Sequence, residues 1–366
     1  MSFRTVLTSL LLIAGLGCSS MTTAPVATGT AKRLYNGSAS VGDFLSITLD
    51  PAALTLTYKN ISNGDTGVVP YTVNSDGTYT LNDPQHNLVA AYEVPNYALL
   101  VQAAKTGPNH DALALITAVQ TGSISINTWA GRDYNYMQFR TAAGGVETGS
   151  ISLDPQGDIS LTSYSPYEAA SRGSPFHVGG FPGSGIQADP SGTFLTLADN
   201  NGTPDYIFGT ANGIFAVDTG NGTVFGLKKA ATKDFDPTFA GTYKAIYYQK
   251  IGATTGMGNV ETGTPSLGNA TMVIDGSANV TVTDANGKTL VQATLTPVAD
   301  TAYLYGTGEL QDPCFGLFTF RVTTANSQRD VFVSFMDRAI LFSSFKAGLP
   351  WRSGNTYDYL YGVGLK

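Results

Sequence analysis

Apolar and polar residues alternate along most of this chain. The segments 44–49 and 280–283 are apolar at every second position, which places one face of a β-strand on a core and the other in water. Segments rich in Asp, Asn and Gly, such as 74–77, separate these runs and are typical of tight turns. The long apolar stretch 99–119 contains a Gly-Pro pair and is therefore predicted as a hairpin, not a helix. The pattern predicts an all-β protein of short antiparallel strands.

Two parts of the chain repeat one another. Residues 129–140 align with 239–250, and each segment is followed by the sequence Val-Glu-Thr-Gly, at 146–149 and again at 260–263. The region before residue 125 lacks the opening aromatic-Ala-Gly strand but closes with a similar apolar hairpin, so it is interpreted as a diverged copy. The repeat predicts three tandem meander units, each of seven or eight strands, over 33–124, 125–236 and 237–366.

The opening strand of each clear repeat has an aromatic-x-Gly motif, at Trp129–Gly131 and Phe239–Gly241. This motif followed by a meander resembles the calycin barrels, the lipocalin-like group. The resemblance implies an up-and-down barrel with a ligand cup, although sandwich-like packing of the same units also fits. A β-propeller is the alternative, with 214–220 and 224–227 as adjacent blade strands. The repeat period of roughly 100 residues is too long for a blade of about 40–50 residues.

The first residues of the chain have the layout of a secretory signal. Arg4 precedes an apolar run over 6–17, and Cys18 follows directly. The Gly-Leu-Gly-Cys motif that ends at Cys18 resembles the lipobox of bacterial lipoproteins, with Gly where that family usually has Leu. The resemblance implies cleavage before Cys18 and a diacylglycerol on its sulfur; an ordinary signal peptide cut elsewhere is the alternative. The apolar run is shorter than the roughly 20 residues that a spanning helix needs.

These features predict a signal peptide over 1–17 and a lipidated, flexible tether over 18–32, because the tether has few bulky apolar residues that could order it. The protein is expected to be exported and held at the membrane by the acyl chains on Cys18. Ser19 after the cysteine favours sorting to the outer membrane if the host resembles enteric bacteria.

Composition excludes several classes of partner and fold. Charged residues make up only 13% of the chain, and the formal net charge is −7. The absence of a basic patch excludes nucleic acid as the expected partner. Only two cysteines occur, so lipidation of Cys18 rules out a disulfide framework within the chain. Cys314 is expected to be a small buried hydrophobe.

The sequence contains no metal-binding or cofactor-binding motif. Its three histidines, His86, His110 and His177, lie far apart, whereas metal sites group their ligands at short spacing. Tyrosines cluster on the opening strands of the two repeats, where they would bind sugars or apolar ligands, or pack the sheets. The candidate ligand-binding residues are Tyr134, Tyr136, Tyr243, Tyr247 and His177.

Evidence for catalysis is sparse. Ser184 lies in a glycine-rich loop over 172–185, but Pro182 stands where a nucleophile elbow has its first glycine, and no helix follows. Glu147 and Glu261 occupy equivalent repeat positions and are the candidate paired acids of a glycosidase. No catalytic set is assigned, and an envelope hydrolase stays the alternative. The sequence predicts a lipid-anchored envelope protein with a binding or structural role, whose partner is a glycan, a surface protein or a small apolar ligand.

Overall fold

The structure is a computed structural model. This structure describes residues 29–85, 87–106, 112–140, 145–163, 176–181, 185–198, 204–251, 264–298, 314–323, 328–346 and 359–366. These residues form twenty-six β-strands, all arranged in antiparallel pairs, so the all-β prediction is confirmed. Within the described ranges, no helix is long and apolar enough to cross a membrane.

The first eight strands form a closed barrel, here called barrel 1. Each strand pairs with the next, and β1 also pairs with β8, where Gly37 lies opposite Ala118. The predicted hairpin over 99–119 is the β7–β8 pair. The strands are β1 (Arg33–Ala39), β2 (Asp43–Asp50), β3 (Thr55–Asn60), β4 (Thr66–Val73), β5 (Thr78–Leu81), β6 (Leu88–Val94), β7 (Ala98–Thr106) and β8 (Ala112–Gln120).

The next nine strands form a barrel-like sheet, barrel 2. Its first strand, β9, pairs with β10 on one side and with the last strand, β17, on the other. The two ends of the sheet are β12 and β13. The strands are β9 (Arg132–Arg140), β10 (Gly145–Leu153), β11 (Ile159–Ser163), β12 (Phe176–Phe181), β13 (Ile186–Ala188), β14 (Leu195–Ala198), β15 (Pro204–Thr210), β16 (Ile214–Asp218) and β17 (Thr223–Lys228).

Barrel 3 repeats this topology with another nine strands. Its opening strand, β18, pairs with β19 and with the final strand, β26, and its sheet ends are β21 and β22. The strands are β18 (Gly241–Ile251), β19 (Thr264–Ile274), β20 (Asn279–Asp284), β21 (Thr289–Thr294), β22 (Thr296–Pro297), β23 (Leu317–Thr323), β24 (Gln328–Met336), β25 (Ala339–Lys346) and β26 (Tyr359–Leu365).

The strand order decides between barrel-like units and a propeller. In each of the three sheets the first strand pairs with the last, which a four-stranded propeller blade does not do. Barrels 2 and 3 also contain more strands than the seven or eight predicted for each unit. In both, the fourth and fifth strands in chain order are the two ends of the sheet.

Aspartate and glycine build the turns, as the sequence predicts. The Oδ1 atom of Asp154 accepts hydrogen bonds from the backbone N–H groups of Gln156 and Asp158 at 2.8 and 2.9 Å. Gly157 follows in a left-handed conformation, with φ of 86°, which residues with a Cβ rarely adopt. Asp284 and Gly287 close the β20–β21 turn in the same way.

Each barrel has its own apolar core, and a fourth core lies where the three barrels meet. In this shared core the ring of Phe44 in barrel 1 stacks on that of Tyr206 in barrel 2, with centroids 4.7 Å apart. Phe139 of barrel 2 stacks on Tyr361 of barrel 3 at 4.3 Å, and Tyr361 stacks in turn on Tyr248 at 5.2 Å. Apolar contact of this extent joins the barrels into one packed body.

Candidate functional site

The tyrosines proposed from the sequence lie in two separate barrel cores. Tyr134 and Tyr136 are buried on the same face of β9, in the core of barrel 2. Tyr243 is buried in the core of barrel 3, and the half-buried Tyr247 packs against that core. The structure therefore does not bring the four rings together into one site. His177 lies on β12, but the structure does not describe its side chain.

Internal hydrogen bonds hold two of these tyrosines in place. The hydroxyl of Tyr136 donates to the carboxylate of Glu147, and that of Tyr243 donates to the carbonyl of Phe239 at 2.6 Å. Burial raises the pKa of Tyr134 to about 12 and also raises that of Tyr243. These rings stay neutral and pack the barrel interiors, which is the alternative role that the sequence left open.

Several other predicted residues cannot be placed. Cys18, Ser184 and Glu261 lie outside the described residues, as do 172–175 and 182–184 of the predicted 172–185 loop, of which 176–181 form strand β12. Cys314 is described, and it is fully buried in the shared core between the barrels, so its prediction as a small buried hydrophobe is confirmed.

A buried ion pair fills one region inside barrel 1. Arg33 donates through Nη2 to Oε2 of Glu93 at 2.7 Å and through Nε to the other carboxylate oxygen. The hydroxyls of Tyr35 and Tyr79 also donate to Glu93. Burial, followed by the charge of Glu93, raises the pKa of both tyrosines. Each carboxylate oxygen thus has two donors, so the network is internally satisfied and fixes β1, β5 and β6 against one another.

A buried carboxyl group lies between barrels 1 and 2. Ser38 donates to Asp218 and lies 2.6 Å from the hydroxyl of Thr223, and the backbone N–H of Gly220 donates to Asp218 at 3.1 Å. Burial raises the pKa of Asp218 to about 7, despite the opposing hydrogen bonds from Ser38 and Gly220. Because Asp218 is fully buried, this cluster affects the packing of barrel 1 against barrel 2, and a substrate cannot reach it.

A cleft that a ligand can reach lies between barrels 1 and 3 and is here called the interbarrel cleft. It has a volume of about 110 Å³. Barrel 1 contributes β6 and the turn that leads into β5, and barrel 3 contributes β18, β19 and the turn after β20. Its small apolar floor is formed by Ala90 and Ile246, whereas the side chains of Ala91, Ala245 and Ala270, which also border the cleft, belong to the cores of barrels 1 and 3. Ligand sites occur preferentially at such junctions between units.

A lysine and an aspartate face each other across the interbarrel cleft. Lys244 Nζ donates to Thr271 Oγ1 at 3.3 Å and lies 3.8 Å from Oδ2 of Asp76 in barrel 1. The backbone N–H and hydroxyl of Thr78 donate to Oδ1 of Asp76, at 3.1 and 2.6 Å. Burial raises the pKa of Asp76, but the hydrogen bonds from Thr78 and the charge of Lys244 outweigh this effect and lower it overall. Asp76 is therefore ionised at neutral pH.

The rest of the cleft rim is also polar. Asp284 uses Oδ1 to accept the backbone N–H groups of Asn286 and Lys288, both at 2.9 Å. Gln102 of barrel 1 donates to Oδ1 of Asn269 in barrel 3 at 2.7 Å, which ties the two walls together. The half-buried ring of Tyr92 completes the lining. The cleft thus presents hydrogen-bond donors and acceptors around a small apolar floor.

Sequence reasoning missed this cleft because its walls come from distant parts of the chain. Asp76 and Lys244 belong to different repeat units, and neither stands in a recognisable motif. The one signal in the sequence was that Asp76 lies in the segment 74–77, which is predicted to be a turn. In the described ranges, no group of three or more His, Cys, Asp or Glu side chains has the arrangement of a metal site.

Comparisons with known proteins do not show a family. No family model and no curated protein matches the chain. Among solved structures, a double mutant of the vaccine antigen Transferrin Binding Protein B from Haemophilus parasuis Hp5 is 10% identical, with 92% of this chain and 76% of that one covered and a TM-score of 0.27. A single mutant of the same antigen is 10% identical, with 88% and 65% covered and a TM-score of 0.20. TM-scores this low do not show a shared fold.

Proposed function

We propose that this protein is a lipid-anchored component of the bacterial cell envelope that binds a surface glycan or surface protein and does not act as an enzyme. The anchor is Cys18, acylated after removal of residues 1–17, and Ser19 directs the protein to the outer membrane. Residues 18–32 form the tether between the lipid and barrel 1. The lipobox motif and the polar composition of residues 18–32 support this part of the proposal.

The observation that carries the binding role is the interbarrel cleft. A concave site at the junction of two units, with a few polar groups around an apolar floor, has the usual composition of a ligand site. By contrast, Glu93 and Asp218 are buried and already accept hydrogen bonds within the protein. The cleft side chains Asp76 and Lys244 have side-chain exposures of 51% and 30%, so a ligand can reach them from solvent.

The chemistry of the cleft favours binding over catalysis. A general acid or base works best when its pKa lies near the operating pH. The pKa of Asp76 is instead lowered, after the opposing effect of burial, by Thr78 and Lys244. A carboxylate that stays ionised is suited to accept hydrogen bonds from a ligand and poorly suited to transfer protons.

Two measurements on the purified full chain test the binding role. The first is co-sedimentation of the Cys18→Ser chain, which has no acyl chains that could insert into membranes, with isolated cell envelopes of the source organism, in which we expect saturable binding. The second is a broad esterase and glycosidase screen, in which we expect no turnover. Turnover that disappears in Ser184→Ala or Glu147→Gln would contradict the proposal and favour the hydrolase. The absence of saturable co-sedimentation would also contradict it.

A further inference from the structure

We propose that the interbarrel cleft is a subsite for one neutral sugar residue of a glycan. This inference rests on the proposed binding function and names its ligand class. It follows from the floor of the cleft, the arrangement of its polar rim, the balance of charge there, and its size.

The floor of the cleft suits the C–H face of a sugar ring. Ala90 of barrel 1 has only a methyl side chain, and Ile246 of barrel 3 adds a branched apolar one, so the edge of a ring can lie against them. Tyr92 adds an aromatic surface, which is half-buried and packs against the shared core on its inner side. Aromatic and methyl groups contact the apolar parts of a sugar, while its hydroxyls point to the rim.

The rim has both hydrogen-bond donors and acceptors, which suits hydroxyl groups because a hydroxyl both donates and accepts hydrogen bonds. The ammonium of Lys244 has three N–H donors, of which the structure assigns one to Thr271. Asp76 uses Oδ1 for Thr78 and presents Oδ2 towards Lys244 at 3.8 Å. That separation is longer than a direct hydrogen bond, so a ligand hydroxyl can bridge the carboxylate and the ammonium.

The charges of the rim select against anionic ligands. Asp76 and Asp284 outnumber Lys244 on the rim, so they disfavour an anionic sugar such as a uronic acid, because like charges at close range repel. A neutral residue makes the same hydrogen bonds without that repulsion.

The volume of the cleft limits the ligand to one ring. An enclosed apolar cavity of about 150 Å³ holds a benzene molecule, and the cleft offers about 110 Å³ and is partly open to solvent. One pyranose can enter it in part, and the rest of a glycan chain would extend outside. Binding of a single residue is expected to be weak, with a Kd of roughly 1 mM, equivalent to about −4 kcal/mol.

The test is isothermal titration of the full chain carrying Cys18→Ser, which removes the lipid and keeps the rest. The titrants are glucose, galactose, mannose and N-acetylglucosamine, with glucuronic acid as the anionic comparison. We expect at least one neutral sugar to bind with one site per chain, and glucuronic acid to bind about 10-fold more weakly or not at all. Failure of all four neutral sugars to bind at up to about 50 mM would overturn the inference, as would tighter binding of glucuronic acid.

Variants locate the site. Lys244→Met should weaken binding by at least about 10-fold, because it removes the donors and leaves the apolar stem. Lys32→Met is the matched control, since Lys32 forms a comparable surface pair with Asp50, at 3.2 Å, away from the cleft. Thr271→Val is a second, smaller change that frees Lys244 and should also alter affinity. Unchanged affinity in both cleft variants would overturn the inference.

This experiment separates the inference from the proposed function. A chain that sediments with cell envelopes but binds none of the four sugars refutes the neutral-sugar subsite and leaves the envelope-binding role intact. Sugar binding through Lys244, together with a wild-type chain that carries no acyl mass on Cys18, supports the subsite and contradicts the anchored role.

Discussion

The wild-type protein should become less stable as the pH rises, and replacing Asp218 with asparagine should abolish this pH dependence. Burial between barrels 1 and 2 raises the pKa of Asp218 from 3.8 to about 7. The difference is about 3 pKa units, and each unit corresponds to about 1.4 kcal/mol. The buried carboxyl therefore changes the free energy of unfolding by about 4 kcal/mol across its titration range.

The direction follows from which state holds the proton. Between about pH 4 and pH 7 the folded protein keeps the Asp218 carboxyl protonated, whereas the unfolded chain loses that proton. The folded state binds more protons in this window, so stability falls as the pH rises. The stabilising contribution is complete below the unfolded pKa of 3.8 and is lost above about pH 7.

Urea unfolding at a series of pH values from about 4 to about 8.5 measures this effect. Asparagine has nearly the same shape and is always neutral. Its one carbonyl oxygen can accept the Gly220 N–H, and its amide N–H₂ can donate to the hydroxyl of Ser38. We expect Asp218→Asn to become more stable than wild type as the pH rises, by up to about 4 kcal/mol at the alkaline end. Asp234→Asn, at an exposed position, is the matched control and should follow the wild-type profile. Parallel pH profiles for wild type and Asp218→Asn would refute the reasoning.

Three further substitutions test the packing. Glu93→Gln should destabilise the protein by about 3–5 kcal/mol, because Arg33 stays buried without its ionic partner. Adding Arg33→Met should recover most of this loss, as measured by urea unfolding. No recovery in the double variant would contradict the ion-pair account. Tyr361→Ala removes a ring stacked at 4.3 Å across the contact of barrels 2 and 3, so we expect a loss of about 3–5 kcal/mol, and an unchanged thermal midpoint would exclude a packing role. Gly362→Ala brings a Cβ within 2.3 Å of a cross-strand phenylalanine ring and should cost about 1–3 kcal/mol. Gly276→Ala, with nothing within 4 Å, should be neutral, and equal thermal midpoints for the two glycine variants would contradict the steric argument.

Local features of the sequence predicted the strands and turns well. Period-two alternation identified segments such as 44–49 and 280–283, which lie in β2 and β20. The turns were predictable because Asp154 and Gly157 stabilise them through bonds to residues only two to four positions away. The repeat of 129–140 at 239–250 likewise identified two equivalent opening strands, β9 and β18.

Features that depend on contacts between residues far apart in the sequence were harder to predict. The alternation places Tyr134 and Tyr136 on one face of β9, but it does not say whether that face points into a barrel or towards a ligand; burial shows that it points inward. The shared core between the barrels was not predicted, because Phe139 and Tyr361 come together only after barrels 2 and 3 have formed.

The candidate site depends on the same long-range contacts. Asp76 and Lys244 are brought to 3.8 Å by the packing of barrel 1 on barrel 3, and neither residue carries a pattern that singles it out. The buried pair of Arg33 and Glu93 was not predicted either, because a charged residue in a strand is normally expected to face water.

The central claim is that a lipid on Cys18 holds this binding protein in the cell envelope. Its most direct test is the intact mass of the protein together with fractionation of cells that express wild type, Cys18→Ala or the matched control Ser19→Ala. We expect wild type and Ser19→Ala to be in the membrane fraction with the mass of acyl chains added to a chain that begins at Cys18, and Cys18→Ala to be released. A soluble wild-type chain that is cut at another position and carries no acyl mass would contradict the account.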